Sequence, residues 1–176
     1  MKFKKSISAV CLIALTVFSF VACGSGSTKK PDLKDIHDAV VAAYGENYIP
    51  SVPMDKEVLV TATGVKAEDI EEFIAQTPTI DLSTDTFVAI KAVEGKGLDV
   101  ETELIKYQVF VANESFQYPM NQAKAKASKV IRQGDYVFFI MLGASNPAEN
   151  STEEEALTFA KEQIKIGNDA IAAMFK

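Results

Sequence analysis

The sequence contains no tryptophan, one histidine and two cysteines, and both cysteines lie within the first 23 residues. A disulfide framework is therefore excluded for the rest of the chain, whose stability must come from its hydrophobic core. Transition-metal sites are built mainly from cysteine and histidine, so we expect no metal site of that kind. Glycine-rich phosphate-binding patterns are also absent, and we expect no cofactor.

Basic residues are also fewer than acidic residues, with 18 lysines and arginines against 24 aspartates and glutamates. Nucleic-acid binding needs clustered positive charge to neutralise phosphates, so this composition argues against a nucleic-acid partner. Acidic runs at 68–72 and 153–155 are more typical of solvated faces and helix starts than of a calcium site.

The first residues of the sequence have the pattern of an export leader. Three lysines fall within the first five residues, an apolar run covers 7–22, and small residues surround Cys23. This order of parts resembles a bacterial lipobox, in which the thiol receives a diacylglycerol and the chain is cut just before it. Phe20 departs from the pattern, because leucine is usual three residues before the cysteine. We predict a lipoprotein signal peptide over 1–22 and lipidation of Cys23.

The alternative interpretation of the leader is an uncleaved membrane helix over 6–22. A segment of that length is at the short limit for crossing the hydrocarbon core of a bilayer. The glycine and serine residues over 24–28 are typical of a flexible tether and favour lipidation instead. We therefore expect a lipidated tether over 23–31, the lipid bilayer as a partner through Cys23, and a location on the extracytoplasmic face of the cell membrane.

Cleavage before Cys23 would leave a chain of a length suited to one domain, and we predict a single globular domain over 32–176. The leader removes three of the 18 basic residues, so 15 remain against 24 acidic residues and the net charge becomes −9. An anionic bilayer weakly repels such a domain, which argues against helices that lie on the membrane surface.

Three segments have clear helical signals. Apolar residues at helical spacing predict helices over 33–44 and 98–113. Ser151 and Glu154 have the spacing of a capping box, which predicts a long helix from there to about Met174.

Two segments are ambiguous between helix and strand. The segment 55–63 has residues suited to helix caps at both ends but is rich in β-branched residues, and a short helix is preferred. The segment 70–77 has helical spacing, yet the strong strand at 86–93 that follows favours an antiparallel pair of strands.

A hairpin is predicted around Gly134, with strands at 128–133 and 135–142. The second strand is almost entirely apolar over 136–142, which indicates a central strand covered on both faces. The predicted element order is ααββαββα. The expected fold class is α+β, with a four-stranded, mostly antiparallel sheet packed against helices.

Four stretches of the chain together resemble a known family. They are 35–40, 44–50, 117–121 and 134–143, which read DIHDAV, YGENYIP, QYPMN and GDYVFFIMLG. Nearly the whole chain from Lys34 onward is similar to a family of bacterial lipoproteins called domain of unknown function 4358. The resemblance implies a lipoprotein and a helix at 55–63. It implies no activity, since none is established for that family, and no site residue is carried over.

The chain offers little catalytic chemistry. His37 would need partners to act as a base or ligand, and Asp35 and Asp38 lie on other sides of its helix, so an exposed histidine is preferred. Ser145 lies between a strand and a helix start, but it lacks the second glycine of a nucleophile elbow and no histidine follows it. The same junction offers backbone N–H groups to an anion, as most helix starts do.

Two loops that combine aromatic residues, proline and methionine are the candidates for binding. Their residues are Tyr48, Pro50, Met54, Tyr118, Pro119 and Met120. Tyrosine and methionine make adaptable contact surface, and proline reduces the entropy lost on binding, so the loops would line a groove if they meet. The alternative, which is preferred, is that these side chains only close the edge of the core.

The sequence therefore predicts a membrane-anchored extracytoplasmic lipoprotein of unknown biochemical role, and favours non-enzymatic binding of an envelope protein or a small ligand. A cell-envelope hydrolase that uses two carboxylates is the alternative from another class. A small solute-binding accessory protein is a third hypothesis, disfavoured because the chain is too short for two lobes.

Overall fold

A computed structural model describes residues 30–79, 82–148 and 150–176. The predicted signal peptide, Cys23 and most of the predicted tether lie outside the described residues. The helices are α1 (Leu33–Tyr44), α2 (Lys56–Thr63), α3 (Gly97–Asn113), α4 (Pro119–Ala127) and α5 (Glu153–Ala173). The strands are β1 (Val52–Pro53), β2 (Ile70–Thr77), β3 (Thr86–Ala92), β4 (Lys129–Gln133) and β5 (Tyr136–Met141). Among these helices, none has the length and apolar character needed to cross a membrane.

The strands form one antiparallel sheet in the order β1-β2-β3-β5-β4. The α+β class and the antiparallel pairing are confirmed, but the prediction of four strands is wrong, because β1 adds a fifth. The N–H groups of Ser51 and Met54 donate to the carbonyls of Thr77 and Ala75, each at 2.9 Å. Pro53 is tolerated because β1 lies at the edge of the sheet, where a missing N–H breaks no ladder.

The predicted element order also lacks α4, and the observed order is αβαββααββα. The N-terminal signal of α4 is present in the sequence, since Pro119 occupies the first turn. Proline is favoured at that position, and alanine, which recurs through 123–127, is the best helix former.

The two segments that were ambiguous between helix and strand have the structures that the sequence favoured, a helix at 55–63 and a strand at 70–77. The carboxylate of Asp55 caps α2 by accepting from the N–H of Val58 at 2.8 Å. Gly64 ends α2 with a φ of 75°, in the left-handed region. The segment 70–77 is strand β2, paired antiparallel with β3.

Helices cover both faces of the sheet. Every residue of β5 is buried, which confirms that it is a central strand. Phe138 and Ile140 pack in a core with residues of α1 and α5. Val137 and Phe139 pack in a second core with residues of α2 and α3. Because each fully buried side chain of this size contributes roughly 2–3 kcal/mol, the strand stabilises both layers at once.

The capping box of α5 lies one residue later than predicted. Thr152 Oγ1 accepts from the N–H of Glu155 at 3.2 Å, and Glu155 Oε2 accepts from the N–H of Thr152 at 2.8 Å. The predicted pair of Ser151 and Glu154 does not form, because Ser151 Oγ accepts instead from Asn146 Nδ2 at 2.9 Å. The helix ends at Ala173, close to the predicted end.

Candidate functional site

A groove of about 920 Å³ lies between α4 and the beginning of α5, and the loop after β5 closes its third side. Its α4 wall carries Pro119, Met120 and Ala123, and its α5 wall carries Leu157 and Phe159. The volume is in the range of small-molecule sites, which are concave, largely apolar and carry a few polar groups.

A buried ion pair holds the α4 wall in place. Lys124 Nζ lies 2.7 Å from Asp85 Oδ2, and the two side chains are 7% and 2% exposed. Lys124 also donates to the carbonyl of Gly143 at 2.7 Å, while the N–H of Gly143 donates to Asp85 Oδ1 at 3.1 Å. Ser83 Oγ donates to Asp85 Oδ2 at 2.7 Å. These hydrogen bonds offset the cost of removing both charges from water.

Two further hydrogen bonds attach α4 and the residues just before it to the segment that leads into β3. Asn121 Nδ2 donates to the carbonyl of Leu82 at 2.9 Å. Thr84 Oγ1 donates to Gln117 Oε1 at 2.9 Å. The α4 wall is thus preformed, so a ligand would not have to order it on binding.

The loop that follows β5 is fixed against α5 through Gln163. Its Oε1 accepts from the N–H of Ala144 at 3.0 Å. Gly143 has a φ of 115°, and a Cβ on it would lie 2.6 Å from Gln163 Cβ, so only glycine is accommodated there.

Tyr44 joins α1 to the middle of α5. Its hydroxyl donates to the carbonyl of Gln163 at 2.9 Å and accepts from the N–H of Gly167 at 3.1 Å. Burial raises the pKa of Tyr44 to about 12, because removal from water disfavours the phenolate. The phenol therefore acts as a neutral structural link behind the α5 wall.

The groove carries opposite charges on its two walls. Lys126 is exposed on α4, whereas Glu153 and Glu154 are exposed on the first turn of α5. The charge of Lys124 is neutralised by Asp85, so it does not act as a free cation in the groove. This arrangement suits a ligand with an apolar body and polar groups on both sides.

A comparison with protein families bears on the same part of the chain. A family model described as domain of unknown function, DUF4358, matches residues 43–142. The chain belongs to this family. The matched range includes Asp85 and Lys124, and ends before α5, so the family region contains one wall of the groove. No curated protein and no solved structure matches the chain.

Ser145 lines the groove but has no histidine beside it. The single histidine of the chain, His37, belongs to α1 and makes its contacts elsewhere. The described residues that line the groove therefore include no serine–histidine pair of the kind that nucleophilic catalysis uses.

The prediction of an exposed His37 is wrong, because its side chain is only 16% exposed. His37 Nε2 lies 3.1 Å from both Tyr48 Oη and Gln76 Oε1, and its ring centroid is 5.3 Å from that of Phe87. Helical periodicity put His37 on the outer side of α1. The chain after α1 folds back over that side, so the burial is a tertiary effect.

The first predicted binding loop closes the edge of the core. Tyr48 Oη donates to Gln76 Oε1 at 2.8 Å, and burial raises the pKa of Tyr48 far above its usual value. Pro50 is buried, and Met54 is half-buried against the core beneath α2 and α3. These contacts agree with the preferred interpretation of this loop, in which its side chains close the edge of the core and do not line a groove.

The second predicted loop lies at the groove. Pro119 and Met120 begin α4 and line the groove, and Met120 is 64% exposed. Tyr118 is half exposed and packs edge-on against Phe116, with ring centroids 5.4 Å apart. In the described part of the chain, no hydrogen bond or aromatic pair joins this loop to the loop that contains Tyr48.

Asp85 and Lys124, the pair that positions the groove, were not among the residues predicted from the sequence. The two residues are 39 positions apart, and neither belongs to a recognisable motif.

Proposed function

We propose that this protein is a membrane-anchored extracytoplasmic lipoprotein that binds a partner in the groove between α4 and α5 without catalysing a reaction. The observation that carries the proposal is the groove itself. It is open, its α4 wall is preformed by the Asp85–Lys124 pair, and its lining combines apolar side chains with charges on both walls. Preorganised, mixed-character grooves of this size are typical of binding sites.

The anchored chain enters the domain at the end opposite to the groove. This placement supports a groove that is open on the side away from the bilayer. Tyr136 Oη donates to the carbonyl of Pro31 at 3.0 Å, so the entering chain lies beside the start of β5. The groove borders the residues after the end of β5, at 144–146. A six-residue strand is roughly 20 Å long, which separates the entry point from the groove by about that distance.

The lining of the groove favours one class of ligand. A peptide segment of an envelope protein, or a small amphipathic envelope ligand, has the apolar body that Met120, Leu157 and Phe159 would contact. Its polar groups would meet Lys126 on one wall and the glutamates of α5 on the other.

The hydrolase hypothesis has less support from the same geometry. It needs two carboxylates that converge on a substrate with separated pKa values. The acids among the described lining residues are Glu153 and Glu154, which are adjacent on one turn and both exposed. Two exposed neighbours on one wall do not face each other across a scissile bond.

Site-specific photo-crosslinking in intact cells tests the binding proposal. A photoreactive amino acid at Met120 is expected to give an adduct that the same probe at Ala42 does not give, since Ala42 is exposed on α1. The substitution Ala156→Phe narrows the groove and is expected to abolish the adduct from position 120. Ala42→Phe, the matched control, is expected to leave it unchanged. Equal adducts from both positions, or an adduct that survives Ala156→Phe, would contradict the proposal.

A further inference from the structure

Helix α3 has an apolar inner face that packs on the sheet. Val100, Leu104 and Val111 are buried there, and Tyr107 is half-buried against Phe139, with ring centroids 5.0 Å apart. The spacing of these residues alternates between four and three positions, as expected for a helix stripe that faces a core. This face accounts for the attachment of α3 to the domain.

A second, mostly apolar stripe runs along the opposite, outer face of α3. It consists of Leu98, Thr102, Ile105, Val109 and Ala112, again spaced alternately by four and three positions. Leu98 is 62% exposed, Ile105 45% and Val109 49%. We call these five residues the outer seam. An outward face of a surface helix is ordinarily polar, whereas a narrow stripe with this repeat is the kind along which two helices pair.

The outer seam is flanked by charged residues whose signs complement those of a second copy of the helix. Asp99 and Lys106 lie seven positions apart on one flank, and Glu101 and Gln108 lie seven apart on the other. When two copies of such a helix pair antiparallel, each flank lies beside the equivalent flank of the other copy, and the two flanks run in opposite directions. Asp99 of each copy then lies near Lys106 of the second copy, and the contact occurs twice across the two-fold axis.

The parallel arrangement is less favourable. It would bring Glu101 rather than Asp99 towards Lys106 of the second copy. Glu101 is already engaged, because its Oε2 accepts from Arg132 Nε at 2.7 Å, and its side chain is only 24% exposed. Asp99 is 57% exposed and pairs with the exposed Lys96, and Lys106 is 65% exposed and pairs with Glu103, so both side chains can exchange partners at little cost.

We infer that the outer seam of α3 pairs antiparallel with the outer seam of a second copy of this chain, giving a two-fold homodimer. The inference depends neither on the groove nor on the lipid anchor. A helix of 17 residues is about 25 Å long, so the seam alone covers less than the roughly 800 Å² per partner of a standard interface. The dimer is therefore weak and concentration-dependent.

Sedimentation of the purified full chain measures this association. The parent is expected to be dimeric at about 100 µM and to dissociate on dilution. Ile105→Glu is expected to be monomeric at the same concentration, with an unchanged far-UV circular dichroism spectrum. A monomeric parent at that concentration, a dimer that survives Ile105→Glu, or pairing of the seam with a different protein only would each overturn the inference.

A charge exchange tests the predicted register. Lys106→Glu is expected to weaken dimerisation by about tenfold, since it opposes two like charges at both symmetric contacts. The double variant Asp99→Lys with Lys106→Glu is expected to restore the affinity of the parent to within about twofold. Lys165→Glu alters a similarly exposed ion pair on α5 and serves as the matched control. Failure of the double variant to recover affinity, or an equal loss in the control, would overturn the antiparallel pairing.

Discussion

Lys124 of α4 and Asp85, the residue just before β3, form an ion pair that is almost completely removed from water, with Nζ and Oδ2 2.7 Å apart. The pair also engages both backbone polar groups of Gly143, two residues after the end of β5. It therefore connects α4, β3 and β5, and determines where the α4 wall of the groove lies. Because removal of one partner leaves an uncompensated buried charge, the pair is open to a direct stability test.

We predict that Lys124→Met lowers the free energy of unfolding by about 3 kcal/mol, since Asp85 remains buried without its cation. Urea denaturation followed by circular dichroism measures the loss. Lys126→Met is the matched control, because Lys126 is exposed on the same helix, and its effect is expected to stay below about 0.5 kcal/mol. Equal effects of the two substitutions would show that the ion pair does not hold α4.

The pKa of Tyr44 predicts a change of stability at alkaline pH. Burial raises this pKa to about 12, against about 10 in an unfolded chain. The folded state favours the neutral phenol. The contribution of Tyr44 to the free energy of unfolding is therefore fully present below about pH 10, and it is lost as the pH rises to about 12. Tyr44→Phe has no group to ionise. The stability advantage of the parent over Tyr44→Phe should shrink by roughly 2–3 kcal/mol across that window. Parallel stability curves for the two proteins would contradict the prediction.

The two tyrosines of the predicted binding loops should respond differently to truncation. Tyr48→Ala removes a packed ring and its hydrogen bond to Gln76, and is expected to cost about 2–3 kcal/mol. Tyr118→Ala removes a half-exposed ring that contacts Phe116, and is expected to cost less than about 1 kcal/mol. Thermal unfolding of both variants measures the difference. Similar losses would mean that Tyr48 does not close the core edge.

The register of the α5 cap can be tested with two neighbouring substitutions. Thr152→Ala is expected to cost about 1 kcal/mol, a normal value for loss of an N-cap. Ser151→Ala is expected to cost less, because the hydroxyl of Ser151 bonds Asn146 rather than the helix. The N–H and hydroxyl of Thr152 hold the pKa of Glu155 below its usual range, so the contribution of Glu155 is lost as the pH falls through that lowered pKa. A larger loss from Ser151→Ala would support the cap one residue earlier.

The sequence predicted the elements whose signals are long and periodic. The apolar run of β5 indicated a strand covered on both faces, and the stripes of α1, α3 and α5 indicated helices within one or two residues of their observed ends. In these segments local pattern and tertiary packing agree, because the apolar face that makes the pattern is the face that becomes buried.

The elements that escaped prediction are short or depend on distant residues. β1 is two residues long and exists only because the edge of β2 accepts it. His37 is half-buried because a loop folds back over α1 to bring Tyr48 beside it. The Asp85–Lys124 pair joins residues far apart in the chain, and a single sequence contains no signal for such a pair.

Mass spectrometry of the native product from cell membranes tests most directly whether this is an anchored lipoprotein. We expect a mature chain that begins at Cys23, lacks the first 22 residues and carries a diacylglycerol on the Cys23 thiol. We also expect Cys23→Ala to lose this modification and to leave the membrane fraction. An intact leader, or a secreted chain with an unmodified thiol at Cys23, would show that the protein is not an anchored lipoprotein.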